Sequence, residues 1–158
     1  MKSLVIFDSV HGNTEKIAMA IGRRLEAEGE LQVAKINEID PQYLDEYNLV
    51  VVGSPTHAGR PTPATKEFLN KIPDNGLKGI EVTAFDTGIP AEGKKFFMRL
   101  FLKILGYAAP RIAKSLEKKG GVLVFPPKGF FVVDREGPLQ PGEEEKAATW
   151  ASGILETM

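Results

Sequence analysis

"SLVIFDSVHGNTEKIA", residues 3–18, passes from one hydrophobic period to another within a single short stretch. Ser3 to Phe7 is an apolar run of strand length, rich in β-branched residues. Ile17, Ile21 and Leu25 then recur on one face at helical spacing, with Asn13 or Thr14 placed to cap the helix. Between them lies a turn of small and hydroxyl-bearing residues, Asp8 to Thr14, holding one of the chain's two histidines.

Four further strand-like runs lie outward from this stretch: "LQVAKI" (31–36), "LVVVG" (49–53), "IEVTAFD" (80–86) and "GVLVFP" (121–126). Continuous apolar runs of this kind suit strands covered on both faces, as in a parallel sheet. Helix signals separate them. Asp40–Pro41 and Thr62–Pro63 each place a proline at a first helical position. Phe96, Phe97, Leu100, Phe101, Ile104 and Leu105 repeat at helical spacing until Gly106. "GEEEKAATWASGIL" (142–155) sets acids in its first turn and Ala147, Trp150, Ala151 and Ile154 on one side. The expected order is βαβαβαβαβα, an α/β fold with an open parallel sheet between two helical layers. Ligands of such sheets sit beyond the carboxyl ends of the strands, so the loops of interest are 8–14, 53–62, 86–93 and 126–131.

At the first loop, backbone N–H groups at a helix start point outward and the helix dipole favours an anion. Gly12 permits close approach, while Ser9 and Thr14 add hydroxyls. The loop has no Lys or Arg and matches neither G-x-x-x-x-G-K-[ST] nor G-x-G-x-x-G, so it suits a single terminal phosphate held by amides and hydroxyls. An ordinary capped helix start accounts equally well for this loop taken alone.

"SVHGNTEKIA" resembles the flavodoxin phosphate loop T/S-x-T-G-N-T, with Ser9, Gly12, Asn13 and Thr14 matching and His11 replacing the middle Thr. The resemblance runs the length of the chain: "LVVVGSPTHAGRPTP" is similar to the family's second loop, and "FDTGIPAEG" stands in the place of its third. The short C-terminal part, lacking a long interruption of strand five, is similar to short-chain members. The resemblance implies a flavodoxin-like three-layer sandwich: a five-stranded parallel sheet of order 2-1-3-4-5 with helices on both faces, forming one domain over residues 1–158. It also implies noncovalent FMN and electron transfer between redox partner proteins. On this basis Ser9, His11, Gly12, Asn13 and Thr14 hold the phosphate. Ser54, Pro55, Thr56, His57, Ala58 and Gly59 line one side of the ring, and Asp86, Thr87, Gly88 and Ile89 the other.

The second loop, "GSPTHAGRPTP" (53–63), is rich in turn-formers and stands as a wall. His57 falls where the family commonly has a bulky residue against the ring, a position an imidazole can fill, set against the reading of a solvated loop histidine. Flavodoxins typically flip a peptide in this loop to offer a carbonyl to the flavin, commonly at a glycine in the position of Ala58. Here the glycine is one residue later; exchange between type I and type II turns needs φ > 0 only at the third residue, which Gly59 supplies. Many flavodoxins place an aromatic in the third loop, whereas this chain has Thr87, Gly88, Ile89 and Pro90. That apolar lid leaves room for a second planar molecule. Phe130 or Phe131 is an alternative source of the missing face, set against a role for each in the core.

Composition excludes several other chemistries. With no cysteine and two histidines, thiol catalysis, disulfides and thiolate metal sites are absent and a transition-metal site is not expected. No Ser-His-Asp arrangement or nucleophile elbow is present, so no catalytic residue is assigned. A phosphoacceptor receiver needs an acidic pair after strand one and an Asp ending strand three; Asp8 stands alone and strand three ends "VVGSP". The apolar start is too short for a signal peptide and nothing later approaches a membrane span, so a cytoplasmic protein is expected. Net charge is −1, yet residues 94–119 carry +7 and the remainder −8. The segment reads either as a solvated helix face or as a surface that steers an anionic partner. Lys95, Arg99 and Lys103 form a row on it, which points to a redox partner with an acidic patch. Nucleic-acid binding has only this stripe in its favour. The alternative enzyme reading is an FMN-dependent NAD(P)H:quinone-type oxidoreductase.

Overall fold

The computed structural model describes residues 1–90 and 106–158. The expected helix carrying Phe96 to Leu105, the row Lys95, Arg99 and Lys103, and the end of the third loop lie outside the described residues. The strands are β1 (Lys2–Phe7), β2 (Glu30–Lys35), β3 (Leu49–Pro55), β4 (Glu81–Gly88), β5 (Val122–Leu123) and β6 (Lys128–Phe131). The described helices are α1 (Asn13–Leu25), α2 (Pro63–Lys71), α3 (Ala108–Lys118) and α4 (Glu143–Thr157). All pairings are parallel, in the order β2-β1-β3-β4-β5, with β6 pairing β4 beyond β5. The expected order 2-1-3-4-5 therefore holds, with the fifth strand in two pieces.

Alternation along the central strands builds the layers, because successive side chains leave a strand on opposite faces. Leu4, Ile6, Val50, Val52, Val82 and Ala84 pack on one side with Phe68 and Leu69 of α2 and Ile112 and Leu116 of α3. Val5, Phe7, Leu49, Val51 and Phe85 pack on the other with Ile17 and Ile21 of α1 and Trp150 and Ile154 of α4. Gly53 in β3 sits under the Phe85 ring, where an added Cβ would fall 2.0 Å from it. Only a residue without a side chain lets that ring lie flat over the strand.

Two expectations are corrected. No helix follows Pro41: residues 36–38 form one 3₁₀ turn and the chain continues in turns to Asn48. The Asp40 carboxylate accepts from Gln42 N–H (2.9 Å) and its carbonyl from Tyr43 N–H (3.2 Å), so Asp40 closes a turn instead of capping a helix. The run 121–126 is not one strand: the ladder stops after Leu123 because Pro126 and Pro127 offer no N–H, and Thr83 Oγ1 donates to the Phe125 carbonyl at 2.8 Å instead. Gly106, at φ 73°, is followed by a helix that the sequence pattern did not single out. Helix α3 begins two residues later, with Ala108, Ala109, Ile112, Ala113 and Leu116 buried along one face. Among the described residues no helix is long and apolar enough to cross a membrane.

Candidate functional site

Beyond the carboxyl ends of β1, β3, β4 and β6 lies a cleft of about 720 Å³, within the usual range for small-ligand sites. Its floor begins at the start of α1. The cap there is Gly12, at φ 89°, not Asn13 or Thr14, which are the first two helical residues. A left-handed cap favours glycine, and the space a Cβ would occupy is open to 4 Å. The first intrahelical bond runs from Lys16 N–H to Gly12 O (3.2 Å), so the N–H groups of Asn13, Thr14 and Glu15 have no intrahelical acceptor. Such a donor set fits a phosphate group.

The hydroxyls expected to reach an anion are partly engaged within the protein. Ser9 Oγ accepts from Gly12 N–H at 3.1 Å, and Thr14 Oγ1 lies 2.8 Å from Thr87 Oγ1 in a buried pair. The Asn13 amide donates to Glu136 O at 3.2 Å. These bonds tie the loop after β1 to the end of β4 and to the loop after β6.

The wall after β3 is a two-residue hairpin. His57 N–H donates to Arg60 O (2.8 Å) and Arg60 N–H to His57 O (3.0 Å), with φ 50° at Ala58 and 78° at Gly59. Both central residues are therefore left-handed, the signature of a type I′ turn. The expected turn, with positive φ at Gly59 alone, is corrected by Ala58. Ser54 is fully buried and forms the foot of this wall, its Oγ donating to Pro55 O and accepting from Thr62 N–H.

The opposite wall combines the end of β4 with the start of α3. Thr56 N–H donates to Thr87 O (2.8 Å), Ala108 N–H to Thr56 Oγ1 (3.0 Å) and Ala109 N–H to Asp86 Oδ2 (2.8 Å). Tyr107, capping α3, donates its hydroxyl to Ile89 O at 2.9 Å. Asp86 is buried beneath this wall, and its Oδ1 has no hydrogen-bond partner among the described residues. Burial pushes the carboxyl up to about 7, with the Ala109 N–H and the Thr56 hydroxyl pulling it back in part.

Of the expected residues, the structure brings His11, Asn13, Thr14, Pro55, Thr56, His57, Ala58, Gly59, Thr87, Gly88 and Ile89 together around the cleft. Ser9 and Gly12 border a smaller cavity of about 470 Å³ beside it, and Ser54 and Asp86 support it from within. Val10, Tyr107, Val132 and Arg135 also line it and were not foreseen. The fourth loop is displaced: residues 128–131 are strand, and the loop at the cleft is 132–142. The turn-former cluster "DREGP" (134–138) is the sequence signal for it. Phe130 is buried against Phe85 and Trp150, as the core reading expected, and Phe131 packs edge-on against Tyr107 at 6.4 Å. No cluster of three metal-ligating side chains occurs among the described residues.

Known proteins place this arrangement. The chain is 24% identical over 156 residues to a flavodoxin from Clostridium saccharobutylicum, covering 98% of this chain and 95% of that protein. Its structure is similar to oxidised flavodoxin 1 from Bacillus cereus, with a TM-score of 0.79 at 20% identity, covering 100% and 99% of the two chains. Flavodoxin 2 from Bacillus cereus aligns over 100% of both chains with a TM-score of 0.75 at 23% identity. A family model described as a flavodoxin domain matches residues 4–124, and with that match the chain belongs to the flavodoxin family.

Proposed function

We propose that this protein carries electrons between redox partner proteins on noncovalently bound FMN. Flavodoxins bind FMN, and membership of the family assigns that cofactor to this chain. Flavodoxin is itself the type example of the 2-1-3-4-5 sheet with FMN at the switch between β1 and β3. The observation that carries the reading is the cleft at that switch point, closed by the start of α1 and by loops from both central strands.

Bound there, FMN supplies the redox chemistry. The N–H groups at the start of α1, together with Ser9, His11, Gly12, Asn13 and Thr14, hold the phosphate. Ser54, Pro55, Thr56, His57, Ala58 and Gly59 form one side of the ring site, and Asp86, Thr87, Gly88 and Ile89 the other, with Ser54 and Asp86 acting through the residues they support. Tyr107 adds an aromatic wall that the third loop lacks. Partner docking is expected to favour an acidic patch. Arg111, Lys114 and Lys118 lie on the exposed side of α3, which starts at the cleft, and so extend the basic segment onto described structure.

Flavin-free protein mixed with FMN is expected to turn yellow, quench flavin fluorescence and release FMN on denaturation. Failure to take up FMN would end this reading. Steady-state turnover of NAD(P)H with a quinone, without an added reductase, would replace the carrier with the oxidoreductase.

A further inference from the structure

We propose that Arg135 is a specificity residue that recognises the phosphate end of the bound ligand; the inference rests on the FMN reading above. The loop after β6 is built to place this residue. It folds back on itself through a bridge between Val132 and Leu139, with Val133 N–H donating to Pro138 O (2.8 Å) and Gln140 N–H to Phe131 O (2.9 Å). Its tip is closed by Gly137 N–H to Asp134 O at 2.8 Å. The tip is then clasped to the start of α1, where Asn13 donates to the carbonyl of Glu136, the neighbour of Arg135. A Cβ at Gly137 would fall 2.7 Å from the Asn13 amide, so the two loops approach as closely as a bare backbone allows.

The charge of the cleft completes the argument. Arg135 lines it with His11, Asn13 and Thr14. It is the cleft's permanently charged side chain among the described residues, and no carboxylate lines the same space. Arg135 forms no ion pair among the described residues, although Asp134 and Glu136 flank it. The Asp134 carboxylate instead accepts from the Arg135 backbone N–H at 2.7 Å. A guanidinium that lines the same cleft as Asn13 and Thr14, with no ion-pair partner among the described residues, suits an anion with several acceptor oxygens, which it can grip through two parallel N–H bonds. Since the loop is anchored to Asn13, the phosphate, not the ring, is the group it meets. Riboflavin, which lacks that phosphate, therefore serves as the control.

The test is a set of fluorescence-quenching titrations of flavin-free parent and Arg135→Gln with FMN and with riboflavin, at low and at high salt. Arg135→Gln is expected to weaken FMN by about tenfold or more at low salt and riboflavin by less than about twofold. The FMN deficit should shrink at high salt, where the lost charge is screened in the parent as well. Equal losses for both flavins would overturn the proposal and make Arg135 a wall or loop residue. So would unchanged FMN affinity. If the parent binds neither flavin, the FMN reading fails and this inference falls with it; a parent that binds FMN with no FMN-selective loss in the variant isolates the failure to Arg135. Unfolding midpoints of the two proteins, expected to coincide because Arg135 is exposed, separate a binding loss from a folding loss.

Discussion

Asp86 shows how one residue at the end of a central strand can set a pH dependence for the whole fold. Its carboxyl is pushed from 3.8 up to about 7, chiefly by burial, while its unfolded counterpart titrates near the lower value. Between those values the folded chain retains a proton that the unfolded chain has released. Stability contributed by this group is therefore present in full below about pH 4, falls as pH rises and levels off above about pH 7. Asp86→Asn keeps an oxygen for Ala109 N–H and removes the titration. In urea unfolding of the flavin-free protein, the variant is expected to gain on the parent as pH rises from about 4 to about 7, by up to roughly 4 kcal/mol. Parallel pH profiles would show that Asp86 is ionised throughout. The sequence marks Asp86 as the end of a central strand beside an expected ligand loop, but not its burial. The same holds for Thr14, whose hydroxyl is paired with Thr87, 73 residues away. Local pattern places a hydroxyl at a helix start, whereas a distant strand decides whether that hydroxyl is free.

At the scale of elements, legibility followed how local the deciding interaction is. The strand, turn and helix of residues 2–25 declare themselves because each period is complete within its own segment. Asp40–Pro41 misleads because an acidic residue before proline suits both a helix start and a side-chain-closed turn. The segment after it buries only Leu44 and Tyr47, too few for a helical face. The hairpin at 57–60 departs from the expected exchange between type I and type II turns, because Ala58 as well as Gly59 holds φ > 0. For an L-residue the left-handed region is costly, so Ala58→Gly is expected to stabilise the protein by roughly 0.5–1 kcal/mol, and Gly59→Val to destabilise it by at least that much. Chemical denaturation of both variants checks the pair. A loss of stability on Ala58→Gly would mean that the turn does not hold φ > 0 at that residue.

At the scale of the molecule, the cleft is assembled by bonds between distant parts of the chain: Thr14 to Thr87, Asn13 to Glu136, Ala109 to Asp86 and Tyr107 to Ile89. Both cores share the sheet that ends in this cleft, so a ligand seated there is linked to the folding of the whole chain and not to one loop. A ligand that binds only the folded state adds RT ln(1 + [L]/Kd), about 2.7 kcal/mol at a hundredfold excess over Kd. For a domain of this size each kcal/mol moves the midpoint by about 2–4 °C. Calorimetry is therefore expected to give one cooperative transition over the full 158 residues, moving upward by about 5–10 °C in that excess of FMN. Riboflavin at the same concentration should move it less, because it leaves the phosphate donors at the start of α1 unused. Two resolved transitions would contradict a single domain. One transition that FMN leaves in place would detach the cleft from the cofactor and return the helix start to an ordinary cap.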